Sequence, residues 1–244
     1  MTLLTIEGVH KRFRLHHLGG RTIVGLDGVS LGVATGEHVA LAGPSGSGKS
    51  SLLKCVYRTY RPDSGSVRLA GAELTALPDD ELADLREHQL GYVSQFLRAE
   101  PRRTAFDVVV RSARRRGLDR GQAADAAAEA LRRVRIPEDL WGTYPTLLSG
   151  GEKQRVNLAA GTVRPPRLLL LDEPVSALDP ANREAVLELI AGLAAQGVAV
   201  LAVFHDLDAM HRLADRVIVL QRGRVVAEGP PAEVLSPESI EVAL

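Results

Sequence analysis

Eight consecutive residues limit what this chain can fold into more than any other feature. Gly43-Pro44-Ser45-Gly46-Ser47-Gly48-Lys49-Ser50 fits the pattern G-x-x-x-x-G-K-[ST]. It follows the compact apolar run His38 to Ala42, and from Ser50 to Tyr57 the pattern turns helical. A buried strand, a glycine loop and a helix in that order make a phosphate-binding loop. The glycines let backbone N–H groups turn inward around an anion, and the helix adds its positive N-terminal end. In such a loop Lys49 reaches terminal phosphates and the Ser50 hydroxyl ligates Mg²⁺, with Ser51 beside it on the first helical turn.

A second run, Leu168 to Leu171, leads directly into Asp172 and Glu173. Alone it could be a strand end with solvated charges. Beside a phosphate loop, two adjacent carboxylates are costly unless a cation faces them. Asp172 is therefore expected to hold Mg²⁺ through its water shell, and Glu173 to polarise an attacking water. Between these elements, Leu148-Ser149-Gly150-Gly151-Glu152 reads as a helix start, with Ser149 as N-cap and Glu152 closing a capping box. It is also an anion site, and a chain with one phosphate loop needs a second only to serve another chain's nucleotide.

The rest of the chain reads as α/β. Leu4-Ile6-Val9 alternates with polar residues and Ile23 to Val33 is a second apolar run, giving an N-terminal antiparallel layer. Asp63-Ser64-Gly65 reads as a turn and Ser66 to Leu69 as a strand. Helices are expected at Ala105 to Arg114 and Ala123 to Val134. Strand and helix then alternate through Leu168 to Leu171, Asn182 to Ala195, Val198 to Phe204, Leu207 to Ala214 and Val217 to Leu220, the signature of a mainly parallel sheet covered on both faces. One domain is expected over residues 1–244, with a core of 1–95 and 162–244 and a helical subdomain inserted at about 96–161. Trp141 reads as packing within the helices and Arg111 to Arg116 as a solvated helix face.

Composition excludes several classes. Acidic and basic residues balance at 30 each, so nothing electrostatic favours nucleic acid. Cys55 is the only cysteine, which rules out an intramolecular disulfide and suits a reducing cytoplasm. Met1-Thr2-Leu3-Leu4 enters a strand pattern without a secretion signal, and no apolar run approaches the ~20 residues of a membrane span. Membrane association is expected only through a partner.

In this order the motifs resemble those of the ATP-binding cassette family, and the resemblance covers nearly the whole chain. It implies ATP and Mg²⁺ as cofactors, a P-loop NTPase fold, and a head-to-tail dimer with an identical or related cassette. Two ATP molecules would then be sandwiched between one chain's glycine loop and its partner's Ser149 segment. Gln95 resembles the glutamine that senses Mg²⁺ and water, and His205 the histidine that contacts the γ-phosphate. Ser176-Ala177-Leu178-Asp179 resembles the loop joining the two sites, and Phe13 an adenine-stacking aromatic. Two positions depart from the family pattern: Val175 stands where Thr or Ser is usual, and Ala160 where Arg is common. DNA-repair cassettes need long coiled-coil insertions, and none fits between Gln95 and Ser149.

A finer resemblance, to the L subunits of the bacterial carbon–phosphorus lyase system, rests on several segments. They are Phe13 to His16, Tyr92 to Arg98 with Pro101-Arg102, Ile136 to Trp141, Arg155-Val156-Asn157 and Phe204-His205-Asp206. It implies soluble lyase subunits as partners and a link to ribose 1-methylphosphonate 5-triphosphate synthesis. The alternative is an importer's energising subunit beside membrane permease subunits. A non-hydrolysing scaffold is disfavoured by the intact Lys49, Asp172, Glu173 and His205.

Overall fold

The period-two pattern of the apolar runs builds two cores, one on each face of a single sheet. The computed structural model describes residues 1–15, 21–94 and 102–235. Its central sheet has the order β10-β9-β3-β8-β7-β6, with β3 at His38–Ala42, β6 at Leu90–Val93, β7 at Leu168–Asp172, β8 at Ala199–Val203, β9 at Arg216–Gln221 and β10 at Arg224–Gly229. All neighbours pair in parallel except β9 with β10. Leu169, Leu171, Val200 and Ala202 face one core, while Leu168, Leu170, Leu201 and Val203 face the other. Successive side chains of a strand point to opposite faces, so an unbroken apolar run is what a strand covered on both sides requires. Burying each such leucine contributes about 1.5–3 kcal/mol.

The second core is closed by the antiparallel layer. It has the order β2-β1-β4-β5, from β1 (Thr2–Leu15), β2 (Arg21–Ala34), β4 (Ser64–Leu69) and β5 (Ala72–Glu73). Leu4, Ile6, Leu31 and Val67 of this layer meet Leu52, Leu53 and Val56 of α1 (Lys49–Val56). Strand β4 begins two residues before the expected Ser66. Asp63 is anchored by the Lys11 ammonium at 3.0 Å and the Arg12 amide at 2.6 Å, so the chain has already turned when Ser64 pairs with His10.

Helix α2 (Asp79–His88) precedes β6. Between β6 and β7 come α3 (Ala105–Arg115), α4 (Arg120–Arg133) and α5 (Gly150–Thr162). Capping boxes start all three of these: Thr104 with Asp107, Asp119 with Gln122, and Ser149 with Glu152. Val109, Leu131, Val156 and Ala159 from them join the same core as Leu169 and Leu171, so helices and sheet are packed continuously. Trp141 stacks on Phe106 at 5.5 Å and donates to the Ile136 carbonyl, as packing predicts. Arg116 departs from the solvated-face reading, because its guanidinium turns to the Arg164 carbonyl at 2.6 Å. Helices α6 (Pro180–Ala194), α7 (Leu207–Leu213) and α8 (Pro231–Val234) complete the helices among the described residues.

Candidate functional site

Three neighbouring strands end at one cleft, and each delivers a polar residue there. Strand β3 delivers the loop 43–50, β7 delivers Asp172 and Glu173, and β8 leads through Phe204 to His205. Open parallel sheets bind ligands beyond their carboxyl ends. The cleft encloses about 250 Å³ and is lined by the loop from Ser45 through Ser51, by Glu173 and His205, and on its apolar side by Phe13, Ile23 and Val24.

The loop's shape depends on glycine at two points. Gly43 has φ +129°, and any Cβ there would overlap the Leu220 carbonyl; Gly48 has φ +110°, where a Cβ would meet the Gly25 carbonyl. Lys49 lies folded back within the loop, donating to the Gly43 and Pro44 carbonyls at 2.7 and 2.9 Å. Burial holds its ammonium below the usual lysine range, against the pull of Glu173 and then Asp172. A desolvated cation facing two carboxylates is suited to an anion brought between them.

At the helix end of the loop, the Ser50 hydroxyl donates to Asp172 Oδ1 at 2.7 Å. Asp172 is 4% exposed. A hydroxyl and a carboxylate converging on one point are hard oxygen donors, the chemistry that Mg²⁺ takes beside phosphate. The residues therefore fit that cation.

Glu173 has φ +55°, an uncommon conformation for a non-glycine residue. Its backbone is fixed on both sides. Its N–H donates to the Val203 carbonyl at 3.1 Å, and its own carbonyl accepts from the Ser176 hydroxyl at 3.2 Å and the Gln154 amide at 3.4 Å. This turn aims the carboxylate at His205, whose Nε2 lies 2.8 Å from Oε1.

The structure brings Gly43 to Ser51, Phe13, Asp172, Glu173 and His205 to one place and leaves the Ser149 segment elsewhere. Ser149 and Gly150 are exposed at the start of α5, outside the residues lining the cleft. The capping box forms as its spacing predicts, with Ser149 N donating to Glu152 Oε2 at 2.7 Å and Glu152 N to Ser149 Oγ at 3.3 Å. Those Ser149 bonds hold the Glu152 carboxyl below the ordinary range. A Cβ on Gly151 would lie 3.0 Å from the Ala177 carbonyl, so the start of α5 packs on the Ser176-to-Asp179 loop. Asp179 is exposed and caps α6 through the Asn182 amide at 3.0 Å. Val175 is buried in the core and Ala160 lines a separate cleft beside α3. Gln95 lies outside the described residues, as do His16, Phe96 to Arg98 and Pro101.

Sequence reading missed two polar partners. The Tyr92 hydroxyl donates to Asp172 Oδ2 at 2.9 Å, and the Gln154 side chain reaches the Glu173 carbonyl. Nothing local marks either pairing, since strand adjacency and helix packing bring them together across the chain.

This fold and site define a P-loop NTPase-type α/β protein. The description of the ABC transporter family matches residues 26–176, and the chain belongs to that family. Among curated relatives it is 38% identical to the methionine import ATP-binding protein MetN of Brucella abortus (strain 2308), over 88% of this chain and 58% of that protein. It is 38% identical to MetN of Thermobifida fusca over 91% of this chain and 69% of that one. The chain thus spans less than two thirds of the Brucella relative's length. Among solved structures it resembles the dimeric post-hydrolysis state of the ATP-binding cassette MJ0796 bound to ADP and Pi, with a TM-score of 0.87 and 30% identity over 94% of this chain and 99% of that chain. It also resembles cbiO1 from Clostridium perfringens, with a TM-score of 0.77 and 27% identity over 98% and 92%. The relatives named for import favour the importer alternative over the expected carbon–phosphorus lyase subunit.

Proposed function

We propose that this chain is the Mg-ATP-hydrolysing subunit of a membrane importer, working as a dimer of cassettes against permease subunits at the cytoplasmic face. The observation that carries the ATPase reading is the convergence of Lys49, Ser50, Asp172, Glu173 and His205 on one cleft behind a glycine loop. Import is supported by the relatives' names. Among the described residues no helix is long and apolar enough to cross a membrane.

In this reading the N–H groups from Gly43 to Ser51 hold the phosphates, and Lys49 leaves the loop carbonyls for the terminal ones. Phe13, with its edge-on neighbour Tyr60 at 5.1 Å, offers a face to adenine. Ser50 and Asp172 would hold Mg²⁺, which supplies charge neutralisation for the phosphates. Glu173 takes a proton from the attacking water as its oxygen bonds to the γ-phosphorus and the bridging bond to ADP breaks. His205 holds Glu173 and faces the γ-phosphate, and Gln95 senses cation and water. Ser149, Gly150, Gly151, Glu152 and Asp179 complete the partner's site, and the helices from α3 to α5 act as an inserted unit that carries them. Preorganised charge of this kind is the main source of rate in phosphoryl transfer.

A second reading keeps the chain as a soluble subunit of the carbon–phosphorus lyase assembly. One of its segments is anchored just ahead of another: the Arg155 guanidinium donates to the Val134 carbonyl at 3.0 Å and also to that of Arg135, one residue before Ile136. Purification from native cells in mild detergent, with ATP turnover measured on the product, tests both. Co-purifying polytopic membrane proteins support the importer; soluble lyase subunits in their place overturn it. Absence of ATP turnover in the assembled complex overturns the ATPase reading itself.

A further inference from the structure

The geometry points to Tyr92 as a positioning residue that fixes the Asp172 carboxylate and thereby sets how tightly the site holds its divalent cation. The inference rests on the proposed reading of Asp172 as a metal-side carboxylate and adds a residue to which that reading gives no part.

Strand β6 pairs in parallel with β7, with Tyr92 opposite Leu170, so the phenol can reach along the neighbouring strand to its end. There the hydroxyl donates to Asp172 Oδ2 at 2.9 Å while Ser50 donates to Oδ1 at 2.7 Å. Each oxygen of a buried carboxylate thus has its own donor, and its rotation is fixed. A cation replacing the Ser50 contact would meet Oδ1 already aimed, because the bond from Tyr92 lies on the far oxygen. The donor is neutral, so it orients the carboxylate without competing in charge for the cation. Partners of this kind, one shell removed from a metal, orient its ligands and change its affinity when lost.

The ring is held as firmly as the hydroxyl. It packs on Tyr57 with centroids 5.2 Å apart, and Tyr57 directly follows α1, the helix that carries Lys49 and Ser50 at its other end. The Arg86 guanidinium lies 4.5 Å over the Tyr57 ring and its Nε donates to the Tyr57 carbonyl at 3.0 Å. Tyr92 also lines a cleft of about 490 Å³ together with Arg86, Ser112 and Asn157, away from the phosphate loop. One phenol therefore joins this second cleft to the metal-side carboxylate.

Tyr92→Phe keeps the ring and its stacking but deletes the donor. Two binding measurements read the result: affinity for a fluorescent ATP analogue in EDTA, and Mn²⁺ binding to the nucleotide-loaded protein by electron paramagnetic resonance. Expected are nucleotide affinity in EDTA within about twofold of wild type and Mn²⁺ affinity weaker by about tenfold. In an Asp172→Ala background the same substitution should change Mn²⁺ binding by less than about twofold, because the carboxylate that Tyr92 orients is already gone. Tyr92→Met, read in the same way, decides the matter if the Phe variant does not fold. Wild-type Mn²⁺ affinity in a folded variant overturns this inference alone. A wild-type protein that binds nucleotide but no cation overturns the reading of Asp172 and this inference with it.

Discussion

Replacing Glu173 with glutamine separates the chemistry of this site from its architecture. The backbone of residue 173 is set by hydrogen bonds that do not involve its carboxylate: its N–H donates to the Val203 carbonyl, and its carbonyl accepts from the Ser176 hydroxyl and amide and from the Gln154 side chain. Glutamine has the same shape and can still meet His205 Nε2, now 2.8 Å from Oε1, so the turn at φ +55° should persist. What disappears is the proton acceptor. General-base catalysis is worth about 10²- to 10⁴-fold, so the barrier should rise by about 3–5 kcal/mol. ATP affinity should be equal or tighter, because a negative charge has left a cleft that faces phosphates. Single-turnover hydrolysis of pre-bound ATP measures the chemical step, and calorimetry measures binding separately. Adding His205→Ala to Glu173→Gln should cost far less than the product of the single losses, as expected for residues acting as a unit. A Glu173→Gln protein that turns over within about threefold of wild type would refute the assignment of the base.

Lys49→Ala should weaken ATP binding by at least about a hundredfold, since it removes a charge-assisted contact from a desolvated site; isothermal titration checks this, and near-normal affinity would mean the loop is not the phosphate site. Gly43→Ala should cost at least about 3 kcal/mol in thermal or urea unfolding, because both the φ of +129° and the Leu220 carbonyl oppose a Cβ. At Glu37, burial works to raise the carboxyl, but the Arg216 guanidinium at 2.7 Å and the Ala34 amide outweigh it and hold it below its ordinary 4.5. A depressed carboxylate stabilises the fold above its unfolded value and loses that contribution as pH falls below it. Glu37→Gln should therefore be less stable by about 1 kcal/mol at pH 7, with the gap closing below pH 4.5, in urea titrations across pH.

What could be read from sequence was whatever repeats over a short span. The glycine loop, the leucine run before Asp172 and the Ser149 capping box each lie within a dozen residues, and all three took the expected local form. Helix α2 was missed because only Leu82 and Leu85 are buried, too few for an apolar stripe. Its charges were the available signal, with Asp79, Asp80 and Glu81 in the first turn and Arg86 and His88 in the last. The bond from Tyr92 to Asp172 was invisible for another reason: 80 residues separate them, and only the order of strands in the sheet makes them neighbours. Arg116 misled because a run of arginines looks uniformly solvated, while its own position, just past the end of α3, turns it inward.

In the proposed dimer the site's two halves are unequal in one chain, and a continuous run of contacts joins them. The exposed Ser149 end of α5 rests on the Ala177 carbonyl through Gly151, where no side chain intervenes. The same loop ends at Asp179, the cap of α6. One turn along that helix, Arg183 donates from Nε to Asp206 at 2.9 Å and from its terminal nitrogen to Asp208 at 2.9 Å. Asp206 is the residue after His205 and itself caps α7 through the Asp208 amide at 2.9 Å. In the proposed dimer, a partner's nucleotide seated on Ser149 would therefore push on a packed and hydrogen-bonded path that ends beside the Glu173–His205 pair. Coupling needs more than such a path, because an element must have two arrangements that both sites bias. The loop from Ser176 to Asp179 is the segment in which such an element would have to lie: Ser176, Ala177 and Asp179 are exposed, and the loop is anchored at one end to Glu173 and at the other to α6.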